Sequence, residues 1–378
     1  MDMNEKTKKP RGIEPLWSQY IHAKASARGI PLSGNFELTS RCNFNCRMCY
    51  VHQTVRAEEE WTAREWLELG RVARDAGMVF LLLTGGEPLI RKDFREIYSG
   101  LKRLGLLISI NTNASLIDPD WVAFFKKDPP LRMNISLYGA SDETYRALCG
   151  QGSFHTVAAN IRMLREAGIQ VRLNASVTPI NAKDVPEIYR FALENDLVVK
   201  GTAYMFPPSR INGGAYGEAA CRFTAEEAAA HTLLCREQYM DPEQIRDMVP
   251  TDPHDPTEDC TDGQGERMNC RAGKTNFWVT WDGRMLPCGM FPTEGYDLKR
   301  MSFAEAWEAT RRDTAAILLP AACRECALRA QCPLCAAACL SETGRTDIRP
   351  EYVCRMTHEL AEAIRKKYPL KEDCYEGE

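Results

Sequence analysis

Gly34-Asn-Phe-Glu-Leu-Thr-Ser-Arg-Cys42-Asn-Phe-Asn-Cys46-Arg-Met-Cys49-Tyr50 joins a short alternating run, residues 35–39, directly to three cysteines separated by three and two residues. The run reads as a strand, so three thiols sit in the loop at its carboxyl end. Working outward, strand-like runs at residues 79–84, 107–112, 133–137, 171–177 and 197–205 alternate with amphipathic helical runs at 62–76, 94–104 and 154–167. Thr62 and Glu65 stand in capping-box spacing, and Gly77, Gly105 and Gly168 stand where helices end. Strand and helix in alternation imply right-handed βαβ units around a parallel sheet. Six units fall short of the eight that close a full barrel. The expected fold class is therefore α/β, a partial (β/α)6 barrel of TIM-like type, with its chemistry at the carboxyl ends of the strands.

Composition narrows the partners. The chain has 378 residues, with Lys+Arg 48 against Asp+Glu 52 and a net charge of -4. That balance does not advertise nucleic acid or an anionic membrane. No apolar run reaches the length of a spanning helix, and residues 1–9 are polar and basic with no apolar stretch behind them, so neither a membrane nor a secretory signal is expected. A cytoplasmic location follows. The 16 cysteines then point to metal, because reducing compartments do not sustain structural disulfides. Three lie at Cys42, Cys46 and Cys49, and eight lie between Cys270 and Cys354. Two separate metal regions are implied. Three thiolates so spaced hold three irons of a cubic four-iron cluster and leave the fourth iron open, while a zinc site with a fourth ligand from elsewhere is the alternative.

After residue 206 the alternation stops. Residues 207–265 read as a linker with a variable insert, containing one helix at 225–239, and residues 1–33 as an N-terminal extension. Residues 266–378 read as a small metal-built domain opening with a hairpin, 277–280 and 284–287, turned at Trp281-Asp282-Gly283.

C-x3-C-x2-C after the first strand, followed by Thr84-Gly85-Gly86-Glu87-Pro88 after the second, resembles the radical S-adenosylmethionine (SAM) superfamily across residues 34–206. The resemblance implies that Cys42, Cys46 and Cys49 hold a [4Fe-4S] cluster whose open iron chelates SAM. One electron then cleaves SAM to a 5′-deoxyadenosyl radical. It further implies that Gly85 and Gly86 let backbone approach the methionyl group and that Glu87 accepts from its ammonium. The position before the third cysteine, usually aromatic, is Met48, and Tyr50 beside it is assigned to share the adenine contact. Asn134-Ile-Ser136-Leu-Tyr-Gly139 resembles the segment whose serine reaches SAM, and Arg146 lies where an arginine often meets its carboxylate. Thr112-Asn113-Ala114 matches a third-strand Thr-Asn-Gly with Ala in place of Gly.

Cys270-x12-Gly283-x4-Cys288, then Cys323-x2-Cys326-x5-Cys332-x2-Cys335-x3-Cys339, then Cys354, resembles the SPASM extension of radical SAM enzymes that modify peptides and proteins. It implies two auxiliary [4Fe-4S] clusters, three in all. The outer one would take Cys323, Cys326, Cys332 and Cys354, and the inner one Cys270, Cys288 and Cys335. Here the chain departs from the pattern: Cys335 follows Cys332 at a spacing of two, Cys339 is left over, and no cysteine lies between Cys270 and Cys288. The inner cluster therefore takes Cys339 or Cys260, or keeps an open iron able to bind a substrate thiolate. Cys149, Cys221, Cys235 and Cys374 carry no motif and read as buried or spare thiols.

The resemblance implies a maturase that abstracts hydrogen from a ribosomal peptide or protein side chain and leaves a crosslink such as a thioether, an oxidation or an epimer. A flavodoxin or ferredoxin would donate electrons. Residues 1–34 are too few for a peptide-recognition domain, so leader binding would need a separate protein or another surface. A small-molecule SPASM enzyme acting on a tetrapyrrole is the second reading, and a non-catalytic iron–sulfur electron carrier is a reading of another class. A sulfatase-type maturase is disfavoured because Gly289 stands where such enzymes carry an aspartate base.

Overall fold

The computed structural model describes residues 16–49, 60–207, 219–250, 265–268 and 270–369. Tyr50, Cys260 and Cys374 lie outside them. In chain order the strands are β1 (Ser33–Glu37), β2 (Phe80–Thr84), β3 (Leu107–Thr112), β4 (Arg132–Ser136), β5 (Val171–Ser176), β6 (Val198–Thr202), β7 (Asn276–Val279), β8 (Arg284–Leu286) and β9 (Tyr296–Asp297). The helices are α1 (Leu16–Ala27), α2 (Ala63–Asp75), α3 (Phe94–Arg103), α4 (Pro119–Lys127), α5 (Asp142–Cys149), α6 (Phe154–Glu166), α7 (Val185–Glu194), α8 (Ala225–Glu237), α9 (Pro242–Arg246), α10 (Phe303–Ala316), α11 (Ala336–Thr343) and α12 (Glu351–Lys367).

β1 to β6 pair in parallel, each with its sequence neighbour, which is the expected partial barrel. Each strand presents one residue outward and the next inward. The outward residues, such as Leu81, Leu83, Ile108, Ile110, Met133, Ile135 and Leu173, are buried beneath the helices. The inward ones are polar and half-buried: Ser109 and Asn111 on β3, Arg132, Asn134 and Ser136 on β4, Arg172, Asn174 and Ser176 on β5. A closed eight-stranded barrel fills its interior with branched apolar side chains. This one keeps a polar lumen, open at β6, one edge of the sheet.

Local signals explain the helix ends. Thr62 caps α2 with the capping box complete, and Ser302 and Thr224 do the same for α10 and α8. Gly150, with φ 71°, closes α5 in the left-handed conformation.

The C-terminal segment is less separate than its cysteine spacing implied. β7 lies parallel beside β1, so β7 to β9 extend the barrel sheet into one nine-stranded sheet, order β6-β5-β4-β3-β2-β1-β7-β8-β9. Phe277, fully buried on β7, packs against Phe36 of β1 at 6.3 Å and Phe303 of α10 at 5.2 Å between ring centroids. The N-terminal helix is tied to the same junction, with His22 Nδ1 2.9 Å from Thr275 Oγ1 and the Trp307 indole donating to Gly29 O at 2.7 Å. Within the expected linker, α8 packs beside α12, where the Tyr352 hydroxyl donates to Phe223 O at 2.9 Å.

Phe277 therefore joins the two cysteine regions mechanically. Phe277→Ala is expected to lower unfolding free energy by about 3–5 kcal/mol in urea titration followed by tryptophan fluorescence, through a cavity at the β1–β7 seam. A loss under about 1 kcal/mol would mean that the seam holds without this ring.

Candidate active site

Three loops at the carboxyl ends of β1, β2 and β3 are stitched together. Leu38 N–H donates to Thr84 O at 2.9 Å, Gly86 N–H to Thr39 O at 2.7 Å, and Glu87 N–H to Arg41 O at 2.9 Å. The approach is so close that a Cβ on Gly85 would stand 2.2 Å from Thr39 O, and one on Gly86 2.2 Å from Arg41 O. Gly85 also has φ 140°, so both residues must lack a side chain. The far side of the cysteine loop rests on the end of α5, where Asn45 N–H donates to Cys149 O and Arg47 N–H to Leu148 O, both at 2.9 Å.

The result is a cavity of about 360 Å³ into which Cys42, Cys46 and Cys49 face, with Gly85 and Gly86 on its wall. Met48 and Ser136 also line it. Lining residues that the sequence reading did not pick are Asn111, Tyr138, Asn174, Lys200 and Thr202. Their signal was present: polar residues at alternate positions of otherwise apolar strands.

Two of the expected site residues stand apart from the cavity lining. Arg146 is exposed on α5 and lies outside the cavity lining, whereas Lys200 on β6 does line it. Glu87 is fully buried, and its carboxylate accepts from three protein donors. It accepts from Leu89 N–H at 3.1 Å, Thr112 Oγ1–H at 2.8 Å and Asn113 N–H at 2.7 Å. Burial pushes its carboxyl up to about 7 against the pull of those three donors. Asn113, fixed by Glu87, donates through Nδ2 to Asn43 Oδ1 at 2.9 Å and to Cys42 Sγ at 3.8 Å.

Burial raises the Cys42 thiol to about 12, although Phe44 N–H donates to its sulfur at 3.3 Å. The Cys46 thiol is raised by its hydrogen bond to Cys149 and by burial. Thiols so protected ionise when a metal displaces the proton, and three of them around a cavity walled by side-chain-free backbone suit an iron–sulfur cluster with a second ligand beside it.

In the C-terminal segment Cys323, Cys326, Cys332 and Cys354 line one small cavity together with Thr357 and His358. Cys335, at the N-terminus of α11, is acted on electrostatically by Cys270. Cys339 is fully buried in an apolar cluster with Met268, Leu319, Leu334 and Ala336, between the two sets. Cys149, Cys221 and Cys235 are buried. Among the described residues no three His, Cys, Asp or Glu side chains converge tightly enough for a single ion.

Removal of Glu87 strands buried donors on two neighbouring segments. Glu87→Ala is expected to destabilise the protein by about 2–4 kcal/mol and Thr112→Val by about 1 kcal/mol, measured by urea unfolding. Equal stability of Glu87→Ala and the parent would show that the three donors find other partners.

Residues 36–192 match the Radical SAM superfamily profile. The chain is 27% identical over 333 residues, 82% of its length and 92% of the other's, to the AdoMet-dependent heme synthase of Methanosarcina barkeri. It is 25% identical over 268 residues to the antilisterial bacteriocin subtilosin biosynthesis protein AlbA of Bacillus subtilis, 70% of this chain and 56% of AlbA. The fold is similar to Streptococcus suis SuiB bound to S-adenosylmethionine, with TM-score 0.64 and 17% identity over 89% of this chain and 81% of SuiB. It is likewise similar to native anSMEcpe with bound AdoMet, with TM-score 0.67 and 18% identity over 89% of this chain and 98% of that one. The match runs from the end of β1 through the cysteine loop and β2 to β5, so residues 36–192 form a radical SAM domain, and the chain is an enzyme.

Proposed function

We propose that the protein is a SPASM-type maturase that modifies a side chain of a ribosomal peptide or protein. The observation that carries this reading is the second cysteine constellation, with Cys323, Cys326, Cys332 and Cys354 around one cavity. The relation to AlbA, a bacteriocin biosynthesis protein by name, supports the peptide substrate. The proposed division is residues 34–206 for the SAM-binding core and 266–378 for the auxiliary clusters.

Once bound, the cluster and SAM supply one-electron cleavage to a 5′-deoxyadenosyl radical that removes an unactivated hydrogen. The chain's own residues do the rest. Cys42, Cys46 and Cys49 supply three thiolates, and Gly85 and Gly86 admit the ligand against backbone. Glu87 holds Asn113 beside Cys42. Ser136, Asn174, Lys200 and Thr202 bound the space in which the substrate meets the reacting carbon. Electrons arrive from a flavodoxin- or ferredoxin-type donor. A sulfatase-type oxidation is disfavoured by Gly289, where a Cβ would stand 2.6 Å from the Trp278 ring, so an aspartate base has no room there. A tetrapyrrole-modifying enzyme is the second reading, supported by alignment with 92% of the heme synthase.

Anaerobically reconstituted protein is expected to hold about twelve irons per chain, with simultaneous replacement of Cys42, Cys46 and Cys49 by Ala leaving about eight and abolishing 5′-deoxyadenosine formation. A total near four irons would remove the SPASM assignment. Co-expression with short open reading frames beside its gene, followed by mass spectrometry, tests the peptide: a product lighter by two hydrogens supports it. An unmodified peptide alongside a modified tetrapyrrole would transfer the proposal to the second reading.

A further inference from the structure

Below the cavity, the lumen carries charge that the chemistry described so far does not use. Arg132 on β4 and Arg172 on β5 alternate with the cavity-lining Ser136 and Asn174 and share their inward face. Arg172 is two residues, roughly 7 Å, below Asn174 on the same strand. Its register partner on β4 is Asn134. Asn134 is already occupied: its Nδ2 donates to Asn111 Oδ1 at 2.9 Å, and its Oδ1 accepts from Arg132 Nε at 2.9 Å. That leaves Arg132's terminal nitrogens and the whole Arg172 guanidinium without a hydrogen-bonding partner among the described residues, although both side chains are half-buried.

A chain of net charge -4 has carboxylates to spare, yet no ion pair forms with either arginine among the described residues. The groups acting on Arg132 agree with this, since burial and the neighbouring Arg172 both press its pKa down and no acid opposes them. Two like charges held together in a partly dry lumen are destabilising unless an anion joins them. Two guanidinium forks on adjacent strands present the parallel N–H pairs that match carboxylates.

We propose that Arg132 and Arg172 form a carboxylate-binding subsite for the substrate, placing an acidic group of it beneath the level of Ser136 and Asn174. The subsite rests on the reading above only in that the substrate enters this lumen. The same chemistry serves Asp or Glu side chains of a peptide and the propionate groups of a tetrapyrrole, and the two sources separate by experiment.

The test uses the full-length reconstituted enzyme and fluorescence anisotropy at low and moderate salt. Probes are a labelled Glu/Gly decapeptide, its Lys/Gly counterpart and the tetracarboxylate coproporphyrin. The Glu peptide is expected to bind and the Lys peptide not. Arg172→Met and Arg132→Met, which keep the aliphatic stems, are each expected to weaken binding about tenfold. Arg172→Lys should retain part of the affinity, and Arg190→Met on exposed α7 should change nothing. Circular dichroism and melting of each variant separate lost binding from lost fold. Coproporphyrin binding that depends on Arg172, without Glu-peptide binding, would uphold the subsite and overturn the peptide reading. Affinities for both carboxylate probes that are undetectable, or unchanged in the two Met variants, would overturn the subsite and leave the peptide reading standing.

Discussion

The buried carboxylate of Glu87 is the point on which the site hangs. Three strands end in three loops that share no covalent connection over short range, and each loop has backbone donors that must be satisfied away from water. Glu87 belongs to the second loop, receives donors from its own turn at Leu89 and from the third strand at Thr112 and Asn113, and passes its backbone N–H to the first loop at Arg41. One residue, through its carboxylate and its amide, thereby fixes the separation of all three. Its raised pKa is the electrostatic signature of that choice, because desolvation outweighs even three good donors. Arg91 performs a similar service at the rim, with its guanidinium donating to Leu38 O at 2.7 Å and Trp61 O at 2.9 Å.

Around this staple the barrel divides its labour by strand alternation. Outward positions build the apolar layer against the helices, with Trp66 and Phe36 in ring contact at 5.2 Å. Inward positions carry amides, hydroxyls and cations. A sheet of six strands leaves room inside for a substrate where a closed barrel would have only side chains. The same alternation places Ser136 at the cavity and Arg132 beneath it, and makes the lumen a graded surface from thiols at the top to guanidiniums below.

Much of this was legible in the chain. The strand and helix runs were readable because period-two and period-3.6 patterns are strong where one face is buried, and the predicted strands fall within a few residues of those observed. The three-cysteine loop and Gly85-Gly86 were readable because spacing and the absence of a side chain are themselves sequence facts. The role of Glu87 was not, since a motif names a residue without saying whether its oxygens face a ligand or the core. For Arg146 the motif gives nearness along the chain, while its exposure on α5 depends on how the helix is turned. Lys200 and the Arg132–Arg172 pair needed the register of neighbouring strands, which no single strand reveals. Contact between Cys46 and Cys149 likewise depended on α5 ending against the cysteine loop, a pairing of segments a hundred residues apart.

The parallel seam between β1 and β7 has a consequence for how the molecule is made. Ser33 pairs with Asn276 and Phe36 with Val279, so the second edge of β1 has no partner until nearly three-quarters of the chain has left the ribosome. During synthesis the barrel strands can assemble in order from β1 to β6, each beside its predecessor, while β1 itself presents a bare row of amides and carbonyls to the cell. Such edges recruit other strands, and long-range pairing closes slowly. The nascent enzyme therefore passes through an interval in which its first strand is open to mispairing, and chaperone demand should be concentrated there, before the C-terminal hairpin arrives to cap it.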